Sequence, residues 1–179
     1  SPPKGYDYDL INAEVILNSI TIGNDGRIHL NGMKYNILIL QNYKAITIEL
    51  LRKLSTLVEQ GMMLMGARPE KSLGLKNYLS NEKEFKQIAD KLWGDIDGTN
   101  ITENNFGKGK VFWGKPLESI LRQQNIKPDF EYTSRSGDAP IIYIHRKTND
   151  THFYFISNQR RSYEELVCTF RVKDKVPEL

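Results

Sequence analysis

The sequence predicts an α/β chain: a parallel sheet with helices packed on it, continued by a run of antiparallel strands. Three observations carry this. Ile37-Leu38-Ile39-Leu40, opened by Asn31-Gly32, is apolar without alternation, the pattern of a strand buried on both faces. From Tyr35 to Gln124 strand-like and helix-like periods alternate, which calls for parallel strands, right-handed helical crossovers and helices on both faces. Past residue 140 the helices stop, and β-rich segments follow one another directly.

In chain order, Ser1 to Tyr8 reads as a linker with two prolines and a glycine. Asp9 is placed to cap a helix whose apolar face uses Leu10, Ala13, Ile16 and Leu17. Thr21 to Leu30 alternates around Asn24-Asp25-Gly26, a hairpin signal. Thr47 caps a helix over residues 48–60, with Leu50, Leu51, Leu54, Leu57 and Val58 on one face and Gly61 ending it. Met62 to Gly66 is a second buried strand, and Glu82 to Trp93 a second long helix capped by Ser80 or Asn81. Gly94 to Gly107 reads as a polar surface loop. Lys110 to Trp113 is a third strand, and Pro116 opens a helix to Gln124. Residues 9–139 thus form the alternating part and 140–179 an antiparallel extension, with strands over 141–147, 152–158 and 166–172. The whole of 9–179 is expected to be a single α/β domain.

Composition narrows the partners. The 179 residues are 39% apolar and 26% charged, enough for a sizeable core. With 25 basic and 22 acidic residues, and no basic stripe interleaved with aromatics, no nucleic-acid partner is expected. No apolar stretch approaches the roughly 20 residues of a membrane helix, and no membrane partner is expected. The single cysteine, Cys168, excludes an internal disulfide and a cysteine-rich zinc site. The chain opens Ser1-Pro2-Pro3 and closes Val176-Pro177-Glu178-Leu179, so both ends read as cuts from something longer.

Apparent motifs fail on context. Gly109 to Pro116 nearly matches the phosphate-binding loop, but Pro116 stands where the magnesium-ligating hydroxyl is needed and Val111-Phe112-Trp113 reads as strand. Asp95 to Asn100 has calcium-type oxygens without the glycine and glutamate of an EF-hand, so it reads as a solvated loop. His29, His145 and His152 lack metal spacing, and His145 and His152 meet at most across a hairpin. Cys168 lies mid-strand and reads as a small packed side chain. No catalytic residue, metal ligand or cofactor site is read from these residues.

Taken in order, some pieces do resemble a known family: Tyr8 to Asn12, Gly32-Met33-Lys34-Tyr35 before Ile37 to Leu40, and Val58-Glu59-Gln60-Gly61 before Met62 to Gly66. They are followed by Gly107-Lys108-Gly109-Lys110-Val111-Phe112-Trp113-Gly114 and by Tyr143 to Arg146 with Tyr154 to Gln159. The set resembles the segment that follows the catalytic barrel in large bacterial glycoside hydrolases of the α-L-rhamnosidase type. More loosely it is similar to the trimerisation domain of bacterial β-galactosidases. The resemblance implies a three-layer flavodoxin-like, class I glutamine amidotransferase-like fold. It also implies a non-catalytic accessory domain that supports the barrel, with the catalytic carboxylates upstream and a β-sandwich downstream. The fragment alone would be inactive. The parent would be an exported glycoside hydrolase, periplasmic or extracellular, acting on polysaccharide.

Two alternatives stay open: a carbohydrate or small-ligand binding module, and a stand-alone flavodoxin-like protein. For the binding module, loops after parallel strands face the ligand crevice of open α/β sheets. Those loops are Gln41 to Lys44 and Gly66 to Pro69. Arg68 in the second, together with His145, Arg146 and Asn158 at the ends of the hairpin strands, are the candidate substrate-binding residues. Their competing role is to pin the domain to its neighbours.

Overall fold

A computed structural model describes residues 3–74, 78–135, 137 and 139–178. Its first element is the short helix α1 (Ala13–Ser19). Asn12 caps it by accepting from the Val15 amide at 3.0 Å. The helix therefore begins after the expected Asp9 cap, and Leu10, placed on its buried face by periodicity, lies outside it and is 82% exposed.

The strands β1 (Thr21–Ile22), β2 (Ile28–Leu30) and β3 (Met33–Tyr35) form an antiparallel three-stranded sheet in that order. Leu30 pairs with Met33, so Asn31 and Gly32 are the two central residues of a tight hairpin turn. Both have positive φ, +48° and +80°, the conformation such turns require. Asn31-Gly32 thus closes a hairpin and does not open the apolar strand. That strand is the separate β4 (Ile37–Ile39). It lies at the edge of its sheet, with Leu38 buried and Ile39 49% exposed, where burial on both faces was expected.

Next come β5 (Ala45–Thr47), α2 (Ile48–Gln60), β6 (Met63–Met65), β7 (Lys71–Leu73), α3 (Tyr78–Trp93), β8 (Glu103–Phe106), β9 (Gly109–Phe112) and α4 (Leu117–Gln123). The main sheet has the order β4-β6-β9-β8, the first three strands parallel and β8 antiparallel to β9. β5 and β7 form a separate parallel pair. The sheets are thus both parallel and antiparallel, and the class is mixed α/β. The parallel strands run in chain order without reversal. Right-handed crossovers then bring both linking helices to one face, and α2 does pack on α3. This differs from helices split between two faces.

The core of this part is the α2–α3–sheet interface. Leu51, Leu54 and Val58 from α2 meet Phe85, Ala89, Leu92 and Trp93 from α3 over Leu64 and Val111, all at 2% exposure or less. The Trp93 indole donates to the Gly66 carbonyl at 3.0 Å, which satisfies its one polar atom inside the core. α2 starts and stops as its sequence dictates: Thr47 Oγ accepts from the Leu50 amide at 3.2 Å, and Gly61 (φ +132°) donates to Val58 O. α3 begins at Tyr78, so Asn81 lies inside the helix and does not cap it. β8 falls within the expected loop over 94–107, and as a polar edge strand it covers β9.

The remaining strands are β10 (Phe130–Ser134), β11 (Ile141–Lys147), β12 (His152–Asn158) and β13 (Leu166–Phe170). β11 pairs with β12 and β10 with β13, both antiparallel. β13 therefore does not follow β12 in one sheet, because β10 takes its edge. The chain divides into two units, Asp9–Ser119 and a second that joins the segment up to Tyr8 to Ile120–Leu179. The boundary falls before β10 and not near residue 140, since β10 belongs with its partner β13. The N-terminal segment, expected as a linker, is tied into the second unit. The Asp129 amide donates to Gly5 O at 2.8 Å and the Tyr6 hydroxyl to Ile126 O at 2.8 Å.

Candidate functional site

The densest polar cluster lies in the second unit. Alternation along β11 and β12 sends Tyr143, His145, His152 and Tyr154 to one face, and β10 and β13 send Phe130 and Phe170 to meet them. Ring centroids are 4.9 Å apart for Phe130 and Tyr143 and 4.7 Å for Tyr154 and Phe170. The His145 ring stacks on Tyr154 at 4.1 Å with 10° between planes.

Asp129, just before β10, is 9% exposed and brings a carboxylate into this aromatic layer. Its Oδ2 is 2.8 Å from His145 Nδ1. Its Oδ1 accepts from the Tyr154 hydroxyl at 3.2 Å and from the Arg171 guanidinium at 3.3 Å. Arg171 is held in turn by donating to Lys127 O at 3.2 Å. His145 Nε2 stands 2.9 Å from His152 Nδ1, so carboxylate and two imidazoles form one chain of hydrogen bonds. Burying a carboxylate is costly unless its oxygens find donors, and here both do.

The electrostatics follow from this enclosure. Burial, then the Asp129 and Asp7 charges, push the Tyr143 hydroxyl up to about 12. Burial and the same carboxylate push Tyr154 higher still. Burial, His145, Lys147 and Lys175 hold His152 below the ordinary histidine value, with Asp129 opposing them. Burial also pushes the Cys168 thiol, on the inner face of β13, up. No group of three or more metal-ligating side chains occurs among the described residues.

Of the candidate residues, His145, Arg146 and Asn158 lie in the second unit and do not converge there. His145 is inside the cluster. Arg146, next on the same strand, points to the opposite face and donates to His145 O at 3.0 Å. Asn158 closes a turn: its amide donates to Ser162 O at 2.8 Å and its carbonyl accepts from the Arg160 amide at 2.9 Å. Arg68 lies in the other unit, paired to Asp90, which Lys86 also meets at 3.4 Å. Burial works to raise the Asp90 carboxyl, but the two cations outweigh it and hold it low. Arg68, Glu70, Glu82, Phe85 and Lys86 line an open cleft of about 350 Å³.

Sequence reading missed Asp129, Tyr154 and Arg171. The matching Tyr-x-His and His-x-Tyr of β11 and β12 were a usable signal for a shared inner face. Nothing local marked Asp129 in Pro128-Asp129-Phe130. The Asp97 loop is accounted for: its carboxylate accepts from the amides of Thr99, Asn100 and Ile101 at 2.8, 2.8 and 2.9 Å. Those bonds hold the acid well below the usual carboxylate range.

The second unit thus gathers its polar side chains around one acid, Asp129. Comparison with known proteins places the chain. Residues 1–179 match the glycoside hydrolase family Glyco_hydro_106, alpha-L-rhamnosidase, and the chain belongs to that family. It is 33% identical over 177 residues to a protein of Formosa agariphila named "Putative beta-glucuronidase", covering 98% of this chain and 14% of that protein. In fold it is similar to a solved rhamnosidase from Novosphingobium sp. PP1Y, with a TM-score of 0.82 at 24% identity. That likeness covers 96% of this chain and 16% of the rhamnosidase. The chain thus spans about one-seventh to one-sixth of the length of the relatives it matches.

Proposed function

We propose that this chain is a non-catalytic accessory domain of a larger rhamnosidase-type glycoside hydrolase and supports the catalytic barrel structurally. The observation that carries the proposal is the share matched: nearly all of this chain against 14% and 16% of its relatives. The Asp129 cluster supports it too. Most glycoside hydrolases use two carboxyl groups about 5–9.5 Å apart across the space a sugar occupies. Asp129 instead stands among His145, Tyr154 and Arg171, with its oxygens occupied.

The test is to read the gene on both sides of residues 1 and 179 and to express the whole product. Aryl α-L-rhamnosides and aryl β-glucuronides are then offered as substrates. The expected result is flanking domains and turnover of one of the two. A start codon immediately before Ser1 and a stop codon immediately after Leu179 would overturn the proposal.

A second reading, a carbohydrate-binding role, has the Arg68 cleft in its favour, where Arg68 and Lys86 stand beside Glu70 and Glu82. Calorimetry of the whole protein with oligosaccharides tests it. Heat that disappears in Arg68→Ala supports the reading, and no heat in either protein removes it.

A further inference from the structure

The second unit stacks two antiparallel pairs, and their outer faces differ. The outward residues of β10 and β13 are Glu131, Thr133, Val167 and Thr169. Three of those four are polar, as a solvated face requires. The outward residues of β11 and β12 are Ile142, Ile144, Phe153 and Phe155, exposed by 55%, 48%, 55% and 69%. Ile144 lies directly across from Phe155, so these side chains form one continuous patch. Arg146, opposite Phe153, makes its end basic. A contiguous exposed apolar patch of this kind marks a contact surface.

We propose that the outer face of β11–β12 is a docking surface, and that its occupant is an apolar face of another region of the same longer chain. That face would carry a carboxylate to meet Arg146. This rests on the accessory-domain reading. The family relatives carry more than four-fifths of their length outside the matched region. A covalently tethered region reaches the patch at an effective concentration that a separate partner does not. Docking there would seat the domain through its hairpin while the Asp129 cluster fixes the hairpin from behind.

The experiment is hydroxyl-radical footprinting of the full-length protein, read by mass spectrometry at Phe153 and Phe155. Each rate is compared with the same residue in the denatured protein, and buried Phe130 serves as the protected reference. The expected result is protection of Phe153 and Phe155 by several-fold, approaching that of Phe130 and unchanged on dilution. Rates near those of the denatured chain would overturn the proposal. So would protection lost on dilution as a dimer becomes a monomer, because a second copy would then be the occupant. A gene without flanking domains refutes the accessory-domain reading itself. Flanking domains with fast labelling refute only the docking.

Discussion

His145 Nε2 and His152 Nδ1 stand 2.9 Å apart, and the carboxylate of Asp129 decides which protons lie along that line. A carboxylate only accepts, so His145 Nδ1 carries the hydrogen toward Asp129. When His145 is neutral, its Nε2 accepts from His152 Nδ1–H. When it is an imidazolium, it donates both ways and His152 accepts.

The first prediction concerns pH. His152 has a folded pKa below the unfolded 6.5, set by burial, His145, Lys147 and Lys175 against Asp129. The unfolded chain therefore binds more protons as pH falls, so this contribution is complete above the unfolded pKa and is lost as pH falls through the folded one. Thermal unfolding between about pH 8 and about pH 5 should show a falling midpoint on the acid side. His152→Gln should flatten that slope. An unchanged slope would exclude His152 as its source.

Removing the central acid should cost more than removing its exposed partner. Asp129→Ala leaves His145, Tyr154 and Arg171 without their shared acceptor, and should destabilise by about 2–4 kcal/mol in urea unfolding. Arg171, whose side chain is 50% exposed, also holds the site. Its replacement by alanine should cost only about 1 kcal/mol.

The glycines that imitate a phosphate-binding loop should prove indispensable for packing. A Cβ on Gly109 would lie 2.2 Å from Val58 O and 2.4 Å from Met62 O, so the strand passes where no side chain fits. Gly114 has φ +79°, and a Cβ there would lie 1.8 Å from Gly98 O. Alanine at either position should cost about 3 kcal/mol or more, read as loss of soluble folded protein or a lowered urea midpoint.

The α2–α3 interface sets the stability of the other unit. Leu54→Ala, at a fully buried position, should cost about 3 kcal/mol. Trp93→Phe removes the pyrrole part of the indole from a fully buried site and strands the Gly66 carbonyl, and should cost about 2–3 kcal/mol. Urea unfolding followed by circular dichroism checks both.

Much of the fold was legible where local signals and tertiary packing agree. α2 has its Thr47 cap, its leucine face and its Gly61 stop, and the turn around Gly26 does join β1 to β2. Reading failed where one signal served two structures. Asn31-Gly32 marks a turn equally well before a buried strand or within a hairpin, and only the pairing of Leu30 with Met33 decides. β8 reads Glu-Asn-Asn-Phe, a turn composition that becomes a strand because β9 offers it an edge. The cluster was legible only in its histidines. Asp129, Tyr154 and Arg171 reach it from points 42 residues apart at the widest, and no local spacing records that convergence.

The most direct measurement of the proposed non-catalytic role is kinetic and uses the whole protein that carries this chain. Arg68→Ala, His145→Gln, Arg146→Ala and Asn158→Ala are each assayed for kcat and KM on an aryl α-L-rhamnoside, with thermal midpoints recorded alongside. The expected result is kcat and KM within about twofold of the parent for every variant whose midpoint is unchanged. A fall in kcat on the order of a hundredfold in any one of them, at an unchanged midpoint, would contradict it.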